Sequence, residues 1–309
     1  MKYSMEERMI WFKNGLVPIK DAKVLALSPT AQFGLNVFEG IPCYWSSKDH
    51  SMYAFRLNEH YERLQRSAKL LQISHSYTKE QMRKALEDVV CINEFDENIS
   101  VRQTLFVDEF GSWGSDGPAE MFVVATPRSF NSSEYNQTGL KMCFSSWRRI
   151  SDNTLSPRIK CGANYINSRV GQREAIRNGY DTCLFLNEFG KIAEGPGSCF
   201  FMIKKDTLIT PNLTDSVLES ITRDSVITIA RDKGIRVVER MIDRSEVYTA
   251  DEAFMCGSAM GITPVASIDG YEISFSEKSI TNTIRDIYLK AAKNEEIQYS
   301  HWVTAVNRS

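Results

Sequence analysis

The spacing of apolar residues along this chain of 309 residues limits its fold more than any other feature. Short runs with a period of two indicate β-strands, and Asn14-Gly15 between two such runs is a strong signal for a two-residue hairpin turn. Runs with a period of 3.6 indicate helices, as at Tyr61, Leu64 and Ala68 and again after a capping-box pattern at Thr78–Gln81. The strand-like runs occur in clusters with isolated helices between them. This order predicts an α+β fold rather than regular β-α-β alternation.

A polar stretch with the sequence PRSFNSSEYNQTG, residues 127–139, separates two halves that each contain strands and helices. Domain boundaries fall in polar segments of this kind. We therefore expect a smaller α/β domain at residues 1–127, an interdomain linker at 128–138 and a larger domain at 139–309. Within the larger domain, one helix is predicted over residues 164–178, ended by Gly179 as its C-terminal glycine.

Charge and cysteine usage exclude several classes of partner. The formal net charge is −2 with four histidines, so we expect neither nucleic acid nor a membrane surface as a partner. No apolar run approaches the ~18 residues of a membrane span, and the N-terminal MKYSMEERMIW carries charges where a secretory signal would be apolar. Seven cysteines are scattered without a CxxC spacing, which predicts a reducing cytoplasm and neither a disulfide framework nor a metal site.

Lys160 is the first candidate for chemistry. It lies in the segment SPRIKCGANYINS (156–168), between Ile159 and Cys161 and ahead of two small residues. Burial in an apolar setting disfavours a charged amine and lowers its pKa, as Schiff-base chemistry requires. A lone lysine of this kind is more often one that extends its amine to solvent. The lysine by itself leaves both interpretations open.

A carboxylate and two turns of small residues are candidate partners for that lysine. Glu194 ends a predicted strand, and a carboxylate facing a heteroaromatic nitrogen keeps that nitrogen protonated. Ser220-Ile221-Thr222 lies at a predicted helix N-terminus, where backbone N–H groups favour an anion such as phosphate. Cys256-Gly257-Ser258-Ala259 supplies a second turn with a hydroxyl. Each feature alone is more often a solvated side chain, a helix cap or a tight turn, so only their combination carries a signal.

Taken in order along nearly the whole chain, several segments resemble the class-IV (fold-type IV) aminotransferases that depend on pyridoxal 5′-phosphate (PLP), most closely the branched-chain amino-acid aminotransferases. The resembling segments are FGLNVFEGIPCY (33–44), FRLNEHYERLQRSAKLL (55–71), SSWRRI (145–150), KCGANY (160–165), KIAEGPGSCFF (191–201), LESITRD (218–224), FMCGSAMGITPV (254–265) and YSHWVTAV (299–306). The resemblance implies a two-domain fold like that of D-amino-acid aminotransferase, with PLP in the larger domain and a homodimer as the assembly.

Position by position, the resemblance implies that Lys160 is the catalytic residue and holds PLP as a Schiff base. Glu194 would meet the pyridine nitrogen, and Tyr165 the ring hydroxyl. The implied contacts to the phosphate are Arg63, Ile221, Thr222 and Ser258. The implied substrate contacts are Phe38, Arg102, Arg128, Ala259 and Met260. The implied reaction is ping-pong transamination between an amino acid and a 2-keto acid, with glutamate as one partner and with L-amino acids favoured by the VFEG segment.

The family pattern is broken in the region that would contact substrate. Phe33 and Ser100 stand where members usually carry Tyr, and Pro42 stands where they carry Arg. Arg128 takes the position of a pocket Trp, in an alignment that crosses the polar stretch. Two lost hydroxyls remove hydrogen bonds to a substrate carboxylate, and an added Arg suits aliphatic side chains poorly. These departures predict a more polar or larger substrate.

Two other hypotheses compete with the aminotransferase. One is a lyase on the same fold that splits an aminodeoxychorismate-like substrate, and the other is a non-catalytic binding or scaffold protein. The second is disfavoured because every residue type that would face the cofactor is present. The Gly111–Gly117 segment with Trp113 is a plausible arm toward a second subunit, although a plain surface loop is the commoner case.

Overall fold

A computed structural model of the chain describes residues 7–128, 133–274, 276 and 278–306. The described residues form two compact units. Residues 7–128, 159–163 and 291–306 belong to the first unit, and the remaining ones to the second. Among the described residues, no helix is both long and apolar enough to cross a membrane.

The first unit contains a seven-stranded antiparallel sheet. Its strands are β1 (Met9–Phe12), β2 (Gly15–Pro18), β3 (Asn36–Ser46), β4 (Ser51–Phe55), β5 (Ile99–Phe106), β6 (Glu120–Pro127) and β15 (Val303–Val306), in the order β15-β4-β3-β5-β6-β1-β2. Its helices are α1 (Pro29–Phe33), α2 (Leu57–Leu70) and α3 (Lys79–Ile92), and two 3-10 helices span Ile19–Asp21 and Ile297–Trp302. The core lies where α2 and α3 pack against the sheet.

The second unit contains an eight-stranded mixed sheet. Its strands are β7 (Leu140–Arg148), β8 (Thr182–Leu186), β9 (Cys199–Lys204), β10 (Thr207–Thr210), β11 (Arg236–Glu239), β12 (Glu252–Gly257), β13 (Gly261–Ile268) and β14 (Tyr271–Glu272), in the order β11-β10-β9-β12-β13-β7-β8 with β14 paired to β13. The other α-helices among the described residues are α4 (Ser133–Thr138), α5 (Asn164–Arg177), α6 (Ile221–Asp232), α7 (Arg244–Val247) and α8 (Ile280–Ala292). Strands and helices are segregated rather than alternating, so the predicted α+β class is confirmed.

Local signals in the sequence correspond to the observed turns and caps. The predicted β1–β2 hairpin forms, but Phe12 pairs with Gly15, so its two turn residues are Lys13 and Asn14 and the predicted Asn14-Gly15 turn is wrong by one position. The capping box is present, because Thr78 Oγ1 accepts from the N–H of Gln81 at 3.2 Å and Gln81 Oε1 accepts from the N–H of Thr78 at 2.9 Å. Gly179 has a φ of +83°, the left-handed conformation expected after a helix C-terminus.

The units differ from the linear division that the sequence suggests. Strand β15 pairs with β4, with Val303 opposite Phe55, and this pairing adds the C-terminal residues to the first sheet. Residues 159–163 also join the first unit, where Cys161 forms an isolated bridge with Val37. Residues 133–138 of the predicted linker form α4, and 129–132 lie outside the described residues. The boundary near residue 128 therefore stays a prediction.

The segment that leads to Glu194 is not the regular strand that its sequence suggests. Its first two residues form isolated bridges, Lys191 with Asp243 and Ile192 with Leu186, instead of a continuous ladder. The backbone stays bonded to β8 as far as Glu194, because the N–H of Ala193 donates to the carbonyl of Phe185 and the N–H of Phe185 donates to the carbonyl of Glu194, each at 2.9 Å.

Candidate active site

Lys160 is held by its backbone between two elements of the first unit. Its N–H donates to Ser67 Oγ on α2 at 3.1 Å, and its carbonyl accepts from the N–H of Phe38 on β3 at 3.0 Å. Gly162, two residues on, packs closely against the side chain of Asn36 on β3, since an added Cβ would lie 2.9 Å from Asn36 Oδ1. The flanking Ile159 and Cys161 are buried, as the apolar sequence predicts, while the lysine side chain is half-buried. The base of the lysine is therefore fixed by two hydrogen bonds of its own backbone.

Three residues with predicted roles meet at the ring of Phe38. The guanidinium carbon of Arg102 lies 3.6 Å from the ring centroid, and Lys160 Nζ lies 5.0 Å from it. Phe38 is buried and Arg102 is exposed, with Gly40 opposite Arg102 in the β3–β5 pairing. A ring face attracts cations within about 6 Å of its centroid. Two cationic groups are thus gathered on one aromatic surface, an arrangement suited to an anionic small molecule.

Arg63 lies in a buried network that the sequence did not reveal. Its Nε and Nη2 donate to Oε1 and Oε2 of Glu39, both at 2.7 Å, and His60 Nδ1 lies 2.6 Å from Glu39 Oε2. Burial by itself raises the pKa of Glu39, but the nearby Arg63 and His60 outweigh it and hold the pKa well below its usual range. Burial also lowers the pKa of His60, despite the opposing effect of Glu39.

The protonation states of Glu39 and His60 follow from these shifts of their pKa values. Glu39 is ionised and only accepts hydrogen bonds, so neutral His60 carries its proton on Nδ1. His60 Nε2 is then a buried acceptor, and it has no hydrogen-bond partner within the described part of the chain. The two bonds from Arg63 to Glu39 use two of its five N–H donors. The ion pair with Glu39 therefore orients the guanidinium of Arg63.

A regular spacing on α2 could have exposed this network. His60, Arg63 and Ser67 are all buried and follow the i, i+3, i+7 pattern of one helix face. The adjacent face carries the apolar stripe that identifies the helix. A second, polar stripe beside an apolar one was available in the sequence as a signal of a buried polar site.

Glu194 is buried in the second unit rather than exposed at a strand end. Arg149 Nε donates to Glu194 Oε1 at 2.9 Å, and Arg149 Nη2 lies 2.9 Å from the same oxygen. The N–H of Leu218 donates to Glu194 Oε2 at 3.2 Å, and Cys199 Sγ lies 3.9 Å from it. Arg149 Nη1 also donates to Asn167 Oδ1 at 3.0 Å. The carboxylate is thus held from two sides. Arg149 follows Arg148 in the sequence, and nothing local distinguishes the two.

The predicted phosphate cradle at Ser220–Thr222 is a helix N-terminus. Ser220 is the N-cap of α6, and its Oγ accepts from the N–H of Arg223 at 3.2 Å. Ile221 and Thr222 are the first two helical residues, and both are buried. The N–H groups at the start of a helix have no partner within it. This terminus therefore presents backbone donors and the positive end of the helix dipole to an anion.

The other candidate residues are distributed over both units. Tyr165 is 36% exposed in the first turn of α5. Ser258, Ala259 and Met260 form the turn between β12 and β13, with Ala259 exposed. Arg128 follows β6, is exposed, and donates its backbone N–H to Asn98 at 2.8 Å. The first unit thus brings together the four candidates Phe38, Arg63, Arg102 and Lys160. The second brings together Glu194 and the loop that leads to α6.

Comparison with known proteins defines the class to which this fold and site belong. The family described as amino-transferase class IV matches residues 36–268. The branched-chain-amino-acid aminotransferase of Escherichia coli K12 is 35% identical over 305 residues, which are 97% of each chain. The structure of the branched-chain amino acid aminotransferase from Thermobaculum terrenum in PLP form has a TM-score of 0.91 and 38% identity, and covers 98% of this chain and 100% of that one. A third relative, the T.th. branched-chain amino acid aminotransferase complexed with N-(5′-phosphopyridoxyl)-L-glutamate, has a TM-score of 0.91 at 32% identity, over 98% and 100% of the two chains.

These matches define a fold-type IV transaminase, and the predicted enzyme class is confirmed. The chain belongs to the class IV aminotransferase family. Its substrates are accordingly an amino acid and a keto acid. The lyase and scaffold hypotheses are not favoured.

Proposed function

We propose that this transaminase uses PLP bound to Lys160 and exchanges an amino group between an L-amino acid and a 2-keto acid, with glutamate as one partner. The observation that carries the proposal is the fixed backbone of Lys160 between Ser67 and Phe38, which leaves the amine at an aromatic surface beside Arg102. The T. terrenum relative was solved in PLP form and the T.th. relative with a phosphopyridoxyl-L-glutamate, which supports both the cofactor and the partner.

The chemical groups of this chain fit PLP. A primary amine at Lys160 suits the aldehyde, and the buried carboxylate of Glu194 suits the ring nitrogen. The guanidinium of Arg63, oriented by Glu39, and the N-terminus of α6 suit a phosphate. We assign Arg63, Ile221, Thr222 and Ser258 to the phosphate, Glu194 to the ring nitrogen and Tyr165 to the ring hydroxyl.

The side chains then divide the chemistry among them. When bound, PLP supplies an electron sink for the electron pair left on the substrate α-carbon. Once it is released from the cofactor, the free Lys160 amine would take the proton from that carbon as a general base and give it back as a general acid. Glu194, kept in place by Arg149 and Leu218, would hold a proton at the ring nitrogen. Arg102, stacked on Phe38, binds the distal carboxylate of glutamate.

The substrate that alternates with glutamate is proposed to be more polar or larger than leucine, isoleucine or valine. Pro42 on β3 lies opposite Ser100 on β5. Neither residue supplies the Arg or Tyr side chain that family members usually carry at these two positions. Phe33 is 47% exposed and offers no hydroxyl, and Arg128 is exposed. Phe38, Ala259 and Met260 complete the assigned substrate contacts. A donor screen in which leucine with 2-oxoglutarate is the best pair would contradict this assignment.

A homodimer is proposed as the assembly, and the cytoplasm as its location because of the cysteine usage. The first unit exposes several large apolar side chains on two neighbouring segments, namely Val24, Leu25, Leu27, Phe33, Phe110 and Trp113. The segments are joined where the N–H of Leu25 donates to Asp108 Oδ1 at 2.7 Å. Apolar clusters of this kind mark association surfaces. Light scattering on the purified protein measures the assembly, and a monomer at all concentrations would contradict it.

The cofactor role of Lys160 is tested by absorbance. Purified protein is expected to absorb in the visible range, to lose that absorbance on borohydride reduction, and to change its spectrum when L-glutamate is added. Lys160→Ala removes the amine and should abolish all three responses. Lys69→Ala, an exposed lysine on α2, is the matched control and should behave as the unsubstituted protein. Visible absorbance and glutamate conversion that persist in Lys160→Ala would overturn the proposal.

A further inference from the structure

The loop at residues 211–220, between β10 and α6, supports two groups of the second unit that the proposed function uses. The N–H of Leu218 donates to Glu194 Oε2, and Ser220 caps α6. The start of the loop is tied to the same helix, because Arg223 Nη2 donates to the carbonyl of Pro211 at 2.8 Å. The conformation of this loop therefore determines where one of the donors to Glu194 lies.

Asp215 closes a single turn within the loop. Its carboxylate Oδ2 accepts from the backbone N–H of Asn212 at 2.9 Å and from Asn212 Nδ2 at 3.1 Å. In return, the N–H of Asp215 donates to the carbonyl of Asn212 at 3.0 Å. These reciprocal bonds between two residues three positions apart fix the turn in one conformation.

The same carboxylate links the loop to the turn that precedes Glu194. Asn187 Nδ2 donates to Asp215 Oδ1 at 3.4 Å, and both side chains are buried. Asn187 Oδ1 accepts from the N–H groups of Phe189 and Lys191, each at 3.0 Å. Asn187 therefore shapes the turn at 187–191 with one end of its amide and contacts Asp215 with the other. The turn at 187–191 precedes Glu194 in the chain, and the loop at 211–220 follows it.

Burial of the Asp215 carboxylate has an energetic cost. It is 4% exposed, and among the described residues its carboxylate is bonded to amide donors and to no cation. A buried carboxylate without a cation is unfavourable unless several N–H groups solvate it. The next residue, Ser216, has a φ of +64°, a left-handed conformation that is unfavourable for a residue other than glycine. That reversal of the chain is followed by buried Val217 and then by the N–H that reaches Glu194.

We propose that Asp215 is a positioning residue for Glu194. Its carboxylate fixes the 212–215 turn, the turn forces the left-handed step at Ser216, and that step directs the N–H of Leu218 to Glu194 Oε2. Asp215 thus acts on the cofactor ring through Glu194 without contacting it. This inference rests on the proposed function, in which Glu194 meets the ring nitrogen.

The test compares cofactor binding and cofactor absorbance in matched variants. Asp215→Asn keeps the shape but places an amide donor against the donors of Asn212, and we expect roughly tenfold weaker binding of PLP to the apoprotein. Asn212→Ala removes one donor to Asp215 and should fold readily, with a smaller change of about two- to threefold in the same direction. Asp206→Asn, an exposed carboxylate in the β9–β10 turn, should match the unsubstituted protein.

A second readout separates positioning from a general effect on the fold. The pH at which the absorbance of bound PLP changes should shift in Asp215→Asn. The shift should vanish when the same substitution is made in a Glu194→Gln background, because the path through Glu194 is then already broken. Unchanged PLP binding and absorbance in Asp215→Asn would overturn the inference, and so would an equal shift in both backgrounds. An unsubstituted protein that neither binds PLP nor converts glutamate would overturn the proposed function instead.

Discussion

Glu39 shows how a single residue can hold several others in one arrangement. Its carboxylate is fully buried and accepts from Arg63 and His60, which lie 24 and 21 positions away in the chain. An ion pair of this kind contributes little net stability compared with apolar side chains, because both charges lose their hydration. Its value lies in geometry, since two parallel bonds fix the plane of the guanidinium.

Breaking this pair from one side is expected to be costly. Glu39→Gln leaves the Arg63 guanidinium buried and uncompensated, and should lower the free energy of unfolding by roughly 3–5 kcal/mol. Urea denaturation of the apoprotein measures this change. The matched control is Glu59→Gln, which removes the half-exposed partner of Arg56 and should cost at most about 1 kcal/mol. Equal effects of the two substitutions would contradict the account of the buried network.

At the scale of elements, helix α2 has one apolar stripe and one polar stripe. Its apolar stripe, with Tyr61 and Leu64, packs into the core of the first unit and is evident from periodicity. Its polar stripe faces the network around Lys160 and Glu39. The apolar stripe was predictable because burial of apolar area requires only that such residues share a face. The polar stripe depends on partners that other elements supply, and these partners are not visible from the helix alone.

Helix α5 packs against β8 at Gly171, where a side chain would not fit. An added Cβ at Gly171 would lie 2.6 Å from Phe185 Cε1 and 3.0 Å from Cys183 Sγ. Gly171→Ala should therefore destabilise the protein by about 1–3 kcal/mol, although alanine favours the helix itself. Gly15→Ala is the control, because its Cβ would meet nothing within 4 Å. The midpoint of thermal unfolding reports both, and a higher midpoint for Gly171→Ala would show that the contact is not tight.

At the scale of the whole molecule, the two ends of the chain contribute to one sheet. Strand β15 lies at the edge next to β4, although β4 is in the first quarter of the chain and β15 is at its end. The tail is secured by Trp302, which is buried, stacks on Tyr299 at 4.4 Å and meets Phe55 edge-on at 5.8 Å. The first unit is therefore completed only by the last described residues of the chain.

A substitution at Trp302 tests whether this residue secures strand β15 to the sheet. Trp302→Ala should destabilise the protein by about 3–5 kcal/mol, because a large buried side chain leaves a cavity. Loss of β15 would also expose the edge of β4 to pairing with other chains. Limited proteolysis should then cleave the tail earlier than in the unsubstituted protein. Ile297→Ala, at a side chain that is 90% exposed, is expected to have almost no effect. Cleavage at the same rate in both variants would mean that the tail is secured by other contacts.

The sequence by itself determined the features that depend on near neighbours. The β1–β2 hairpin, the capping box at Thr78 and the helix over Asn164–Arg177 are all local, and propensity and spacing suffice to predict them. The order of the family segments can also be read from the sequence alone. It predicted the class of enzyme and Lys160 as the candidate lysine.

Only the tertiary structure decided which groups meet. Glu194 is paired with Arg149, 45 residues before it, and with the N–H of Leu218, 24 residues after it. Lys160 is fixed by Ser67, 93 residues away. The physical reason is that such partners are set by which strands become neighbours in a sheet and which helix packs over them. Local periodicity specifies that a face is buried, and leaves open what it is buried against.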